Sequence, residues 1–274
     1  MLLWTNHVTE EHYGIIENLR EKSFESVEIP IGDGEIKDYK KLGDFISGLG
    51  MNVTGVTSLL EETNIASPDA AVRAAGIERM KWVIDVATAS GMQNVCGPFH
   101  SAFAYFTRQP PTQDERKWSI EGLRKIGELA EDSDLMMTPE ALNRFECYLI
   151  NTMSDLAHHL DQVDHPNVGA IYDTHHANIE EKSHAEAIKT IARHLKHVHI
   201  SENDRGTPGK GMINWNEVFA TLHEINYQGR MTIESFSTTI PEFANAINVW
   251  RNYSSADEVY QEGYDFIKNN YYNS

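Results

Sequence analysis

The sequence predicts an α/β chain folded as a (β/α)8 TIM barrel, and three observations predict it. Short runs rich in apolar and β-branched residues recur along the whole length, each followed by a stretch with helical periodicity. That alternation produces parallel strands joined by crossover helices. Eight such pairs can be counted, and a chain of 274 residues suits a barrel, which typically needs ~250. An open doubly wound sheet built from the same units would want a glycine-rich phosphate turn after an early strand, whereas Asn6, His7 and Val8 follow the first strand here.

Strands are expected at residues 2–5, 26–31, 52–57, 94–99, 135–140, 168–174, 196–201 and 231–235. Most are short and apolar, as strands covered on both faces should be. The helices between them have recognisable starts. Thr9 precedes Glu10, Glu11 and His12; Ser67, Pro68 and Asp69 place a cap before a first-turn proline; Asn214 precedes a helix over 215–225. In the helix after the third strand, Val72, Ile77, Met80, Val83, Ile84 and Val86 fall on one stripe, which predicts a buried face. No linker, charge block or internal repeat interrupts the series, so a single domain over residues 1–274 is expected.

Composition narrows the function classes. With 41% hydrophobic residues the chain has the apolar content that disordered and collagenous proteins lack. Asp and Glu outnumber Lys and Arg by 41 to 23, a net charge of -18, which repels nucleic-acid phosphates and anionic membranes. No apolar run approaches the ~18–20 residues that span a bilayer. There are two cysteines, Cys96 and Cys147, and the first dozen residues lack the basic and apolar regions of a leader. A reducing, cytoplasmic setting is therefore expected, with both thiols serving packing.

In a barrel, reactive groups gather at the C-terminal strand ends. Four ends in the second half finish on Glu140, Asp173, His199 and Glu234. Three carboxylates and one imidazole suit Mn2+, Mg2+ or Co2+ better than a structural Zn2+, which favours Cys and His. Such a cation could hold two adjacent sugar oxygens and stabilise an enediolate. Each residue has a plainer alternative. Asp173 and Glu234 could cap the following helices, and His199, with His197 nearby, could be a hydrogen-bonded lumen imidazole. Coincidence over four successive strands favours the cation.

The segments Pro139-Glu140-Ala141-Leu142-Asn143-Arg144-Phe145-Glu146, then Tyr172 to Glu181 with Asp173, His175 and His176, then His197-Val198-His199 through Asn203-Asp204-Arg205, and Ile233-Glu234-Ser235-Phe236, carry a resemblance. The chain resembles the ketose 3-epimerases of the D-tagatose and D-allulose (D-psicose) group, within the xylose-isomerase-like barrels. The match runs from roughly residue 112 onward, one motif to each strand. The resemblance implies that Glu140, Asp173, His199 and Glu234 are metal ligands, with Mn2+ the usual ion and Co2+ or Mg2+ accepted. It implies that Glu140 and Glu234 are the two acid/base residues, and that Glu146, His176 and Arg205 hold the substrate near C1 to C3. Only the motif register selects His176 over His175.

The implied reaction inverts C3 of a free ketose through proton removal on one face and return on the other, which a flanking carboxylate pair can perform. An aldose-ketose isomerase on the same site is the alternative, and an abasic-site endonuclease or a non-catalytic sugar-binding protein are others. Arg205 on its residues alone could equally pair with Asp204 or Glu202. The loop over 206–211, Gly-rich with Lys210, lacks the context of a phosphate-binding loop and is expected to close beside the site. Phe99, Phe103, Tyr105 and Phe106 form an aromatic cluster that walls the pocket or serves a buried or subunit contact. Trp250, Tyr253, Tyr260, Tyr264 and Phe266 read as a helix face packing on the barrel or on a second subunit of a homodimer or homotetramer.

Overall fold

The structure, a computed structural model, describes residues 1–272, so the last two positions of the expected 1–274 domain lie outside the described residues. Strands and helices alternate as the sequence predicts. After α1 (Tyr13–Glu21) come β1 (Ser26–Pro30), α2 (Ile36–Gly48), β2 (Asn52–Val56), α3 (Ala70–Ala89), β3 (Asn94–Gly97), α4 (Gln113–Ala130) and β4 (Met136–Pro139). The second half runs α5 (Met153–Val163), β5 (Ala170–Asp173), α6 (Thr174–Glu180), α7 (His184–Ile191), β6 (Leu195–Ile200), α8 (Trp215–Glu224), β7 (Arg230–Ile233), α9 (Pro241–Ala246) and α10 (Ala256–Ile267). Every strand pair is parallel, in the orders β1-β2-β3-β4 and β5-β6-β7. Isolated parallel bridges, Met137 to Val168 and Glu140 to Ile171, join the two runs. The result is the TIM barrel, with helices sheathing a parallel sheet.

One expected strand is absent. Residues 1–5 form a turn in which the amides of Trp4 and Thr5 both donate to the Met1 carbonyl, at 2.9 and 3.2 Å. Local bonds thus take donors that a ladder would need. The Met1 ammonium donates to the Glu28 carbonyl on β1 at 2.6 Å, and a cavity of about 680 Å³, lined in part by Leu2, Trp4, Thr54, Asn94 and Met231, lies along the β7–β1 seam.

The helix starts follow their capping residues. Asn214 accepts from the Glu217 amide ahead of α8, and Thr112 and Glu115 form a reciprocal capping box on α4. For α3 the cap is Asp69, whose side chain accepts from Ala71, so Pro68 stands outside the helix and not in its first turn. The α3 stripe is buried at Met80, Val83, Ile84 and Val86, while Val72 and Ile77 are half-buried. On β3, Gly97 has φ +122°, and a Cβ there would stand 2.1 Å from the Thr57 carbonyl. Only glycine lets β2 and β3 approach so closely beneath the pocket. Of the C-terminal aromatics, Tyr260, Tyr264 and Phe266 on α10 pack against Trp4, Phe24 and Trp215. Trp250 and Tyr253 precede that helix and are exposed, so they do not share its packed face.

Candidate active site and metal centre

Strand register sets the site. Asp173 and His199 are direct partners across β5 and β6, Glu140 follows the last residue of β4 and its amide donates to the Gly97 carbonyl at 3.0 Å, and Glu234 follows β7 with its amide donating to Ile200 at 3.1 Å. The four side chains therefore emerge at one level of the barrel mouth. One candidate ligand atom from each of Glu140, Asp173, His199 and Glu234 lies within 4.8 Å of the other three.

Their individual contacts leave atoms free for a ligand. Asp173 Oδ1 accepts from the His176 amide at 2.9 Å, capping α6. The capping alternative is thus correct for one oxygen only, because Oδ2 is buried with no hydrogen-bond partner. Glu140 Oε1 and His199 Nδ1 are likewise buried and unpartnered. His199 Nδ1 lies 3.2 Å from Glu234 Oε1 and 3.7 Å from Asp173 Oδ2. Glu234 caps no helix; α9 has Ile240 at its N-cap. Four buried ionisable groups with three orphaned atoms at one point are costly unless a cation completes them. The donor set, three carboxylates and one imidazole nitrogen, fits a hard or borderline divalent ion.

The two glutamates stand in opposite electrostatic surroundings. Burial, reinforced by the charge of Glu234, holds the Glu140 carboxyl well above its usual range. Burial likewise raises Asp173 to about 7. For Glu234, burial works in the same upward direction but His199 and Arg205 override it, bringing the carboxyl down to about 2. One carboxyl thus favours its acid and the other its base.

Arg205 supplies much of that asymmetry. It sits in the left-handed region at φ +64° and its guanidinium is buried in the site. Nη1 donates to Glu234 Oε2 at 2.7 Å and to Ser201 Oγ at 2.8 Å, and stands 3.6 Å from Asp173 Oδ2. The alternative partners fail: Asp204 accepts from the Gly206 amide, and buried Glu202 accepts from the Gly209 and Ile213 amides and the Trp215 indole. Glu202 thereby ties down the loop over 206–211 that carries the chain away from Arg205.

His176 is buried, with Nε2 3.1 Å from Arg205 Nη2 and 3.7 Å from Glu140 Oε1. Burial and the adjacent Arg205 charge hold it neutral, its pKa well below the usual imidazole value. His175 turns instead to the Glu202 carbonyl. Glu146 is half-buried and accepts from Asn143 Nδ2 at 2.8 Å. A cavity of about 490 Å³ gathers Glu140, Glu146, His176, Arg205 and Glu234 with Ile31, Leu60, Phe103, Phe236 and Phe243. Phe103 of the predicted aromatic cluster therefore lines this cavity, while Phe99 is buried and Phe106 exposed.

The sequence reading missed Glu28. This buried β1 carboxylate meets His197 and His199, both at 3.0 Å, and Cys96 at 3.3 Å. Cys96 is therefore more than a packing residue, and His197 faces Glu28 and not the cation cluster. The available signal was a lone charge inside an otherwise apolar strand.

Comparison with known proteins agrees with this geometry. The family model described as "Xylose isomerase-like TIM barrel" matches residues 16–270. The chain is 30% identical to a ketose 3-epimerase of Arthrobacter globiformis, over 92% of this chain and 88% of that protein. It is also 30% identical to an L-ribulose 3-epimerase of a Methylomonas strain, over 90% and 87%. Among solved structures, D-allulose 3-epimerase from Methylomonas sp. in complex with D-allulose superposes with a TM-score of 0.92 at 28% identity, covering 98% of this chain and 95% of that one. The chain thus belongs to the xylose isomerase-like TIM barrel family, on the branch that holds the ketose 3-epimerases, and is an isomerase of the epimerase type.

Proposed function

We propose that the chain is a divalent-metal-dependent ketose 3-epimerase that interconverts free ketoses differing at C3, such as D-fructose with D-allulose, D-tagatose with D-sorbose, or ribulose with xylulose. The observation that carries this reading is the convergence of Glu140 and Glu234 on one cavity, each with an oxygen within 4.8 Å of donor atoms of Asp173 and His199. Inversion beside a carbonyl needs a group that removes a proton on one face and another that returns one on the opposite face. Glu234, paired with Arg205 at 2.7 Å, is suited to take the proton as a carboxylate, and Glu140 in the same cavity is placed to return one. In the reverse direction the roles exchange. Glu140, Asp173, His199 and Glu234 would hold the ion, Mn2+ first with Co2+ or Mg2+ as substitutes. The bound ion would supply positive charge to adjacent sugar oxygens and to the enediolate.

Arg205 adds a fixed positive charge beside the developing oxyanion, and neutral His176 and Glu146 orient the hydroxyls near C1 to C3. The apolar wall of Leu60, Phe103, Phe236 and Phe243 excludes water from the reacting carbon. A free sugar fits better than a phosphorylated one. The two arginines lining the cavity are engaged, Arg205 with Glu234 and Arg79 with the carbonyls of Ile31 and Gly32. The names of the relatives, ketose, L-ribulose and D-psicose 3-epimerases, support the same substrate class. A cytoplasmic homodimer or homotetramer completes the proposal.

Solvent exchange tests it. In D2O with Mn2+ and a ketose panel, deuterium should enter C3. Label confined to C1 or C2 would assign an aldose-ketose isomerase instead, and absence of label from every ketose would overturn the reading.

A further inference from the structure

We propose that Glu28 is a positioning residue for the metal centre: its carboxylate fixes the imidazole of His199 so that Nδ1 is presented to the cation. This rests on the metal reading above. Glu28 lies on β1, 171 residues from His199. It is 6% exposed and does not line the cavity that gathers Glu140 with Glu146 and His176. Its Oε1 is 3.0 Å from His199 Nε2. Its Oε2 is 3.0 Å from His197 Nε2, 3.2 Å from Thr54 Oγ1 and 3.3 Å from Cys96 Sγ. The Thr54 hydroxyl, the Cys96 thiol and the His197 ring therefore fix one oxygen, leaving the other to accept from His199.

A histidine that donates from one nitrogen is fixed in ring orientation and offers the other nitrogen bare to a metal. Here the donor is Nε2, and the opposite atom, Nδ1, is the one found buried, unpartnered and close to Asp173 Oδ2 and Glu234 Oε1. Without the Glu28 anchor nothing else among the described contacts of Nε2 is a strong acceptor; Cys96 Sγ stands at 3.6 Å. The ring would then be free to rotate or to bind its proton on Nδ1, which blocks coordination.

A competing reading makes Glu28, Cys96, His197 and His199 a metal site of its own, since their donor atoms also lie within 4.8 Å of one another. Two facts oppose it. Both Glu28 oxygens already accept from side chains of the cluster, and none of the orphaned buried atoms on the cation side belongs to Glu28, Cys96 or His197.

The test is Mn2+ binding to the metal-stripped full chain, followed by titration calorimetry and by the paramagnetic resonance signal of free Mn2+, alongside thermal melts of the stripped proteins. The wild-type chain should bind one equivalent. Glu28→Gln, which keeps the shape but removes the charge, should weaken Mn2+ binding about 10- to 100-fold while the stripped protein melts as the wild type does. Should Glu28→Gln fail to fold, Glu28→Asp decides, because it keeps the charge but falls one methylene short of His199 and should also lose affinity. Unchanged affinity in the folded variant overturns the inference alone. A second tight equivalent that disappears with Glu28→Gln also overturns it, by making the Glu28 cluster a metal site. A wild-type chain that binds no Mn2+ overturns the metal reading and this inference with it.

Discussion

The lumen of the barrel and the helical sheath around it are built on different chemistry. Between sheet and helices most of the buried side chains are apolar, among them Ile46 on α2, Val83 on α3, Leu123 and Ile126 on α4, Leu156 on α5 and Leu222 on α8. Each such side chain contributes roughly 1.5–3 kcal/mol through burial. The lumen instead buries Glu28, Glu140, Asp173, His197, His199, Arg205 and Glu234. Buried charge is expensive to maintain and becomes favourable only when partnered. The contrast teaches that the sheath carries the stability and the lumen uses part of it to hold groups ready for a ligand.

Three experiments test that division, in order of expected effect. Replacing Glu140 or Glu234 by Gln should cut epimerisation by about 10²–10⁴-fold. In Glu140→Gln the melting temperature of the metal-free protein should stay close to that of the wild type, because burial already favours the uncharged acid of Glu140 and Gln keeps that shape without charge. Turnover and thermal melts on the same preparation check both, and full turnover in either variant removes that glutamate from the acid/base role. Leu123→Ala, in the sheath, should do the reverse. It should lower unfolding free energy by about 2–5 kcal/mol, measured in urea, with turnover per folded molecule unchanged; a large loss of turnover would break the separation.

The smallest effect concerns His159, a polar group inside the sheath. It is buried between α5 and α4, with Nε2 3.0 Å from Ser119 Oγ. Burial, aided by the nearby His100, depresses its pKa to about 3. The folded ring stays neutral where an unfolded one takes a proton near 6.5, so the unfolded chain binds more protons below that pH. The stability it contributes is fully present above about pH 6.5 and is lost as pH falls toward 3. His159→Gln should flatten the fall in stability between pH 6.5 and 5 by at most about 1.4 kcal/mol per pH unit. An unchanged slope in urea titrations at each pH would show that His159 does not contribute.

Much of this was legible in the residues. Glu140, Asp173, His199 and Glu234 could be found because each closes a strand whose apolar run announces it, and parallel register then brings strand ends to one level. Arg205 was ambiguous because a loop residue's partners depend on how the loop folds back, and Glu202, not Arg205, fastens that loop. Glu28 was hidden for a related reason. Its partners, His197 and His199, are 169 and 171 residues away, and nothing local marks such a contact. Residues 1–5 carry strand-forming types, yet turn bonds to the Met1 carbonyl outcompete the ladder there.

Asp173 divides one carboxylate between two tasks. One oxygen secures the first turn of α6, a cap worth about 1 kcal/mol, and the other faces the cation cluster. Because α6 carries His176, the imidazole beside Glu140 stands on the same foundation as the proposed ligand Asp173. On the proposed function, redesigning the sugar preference of this pocket by moving α6 would therefore retune the cation as well, and changing the cation's coordination would shift the helix in return.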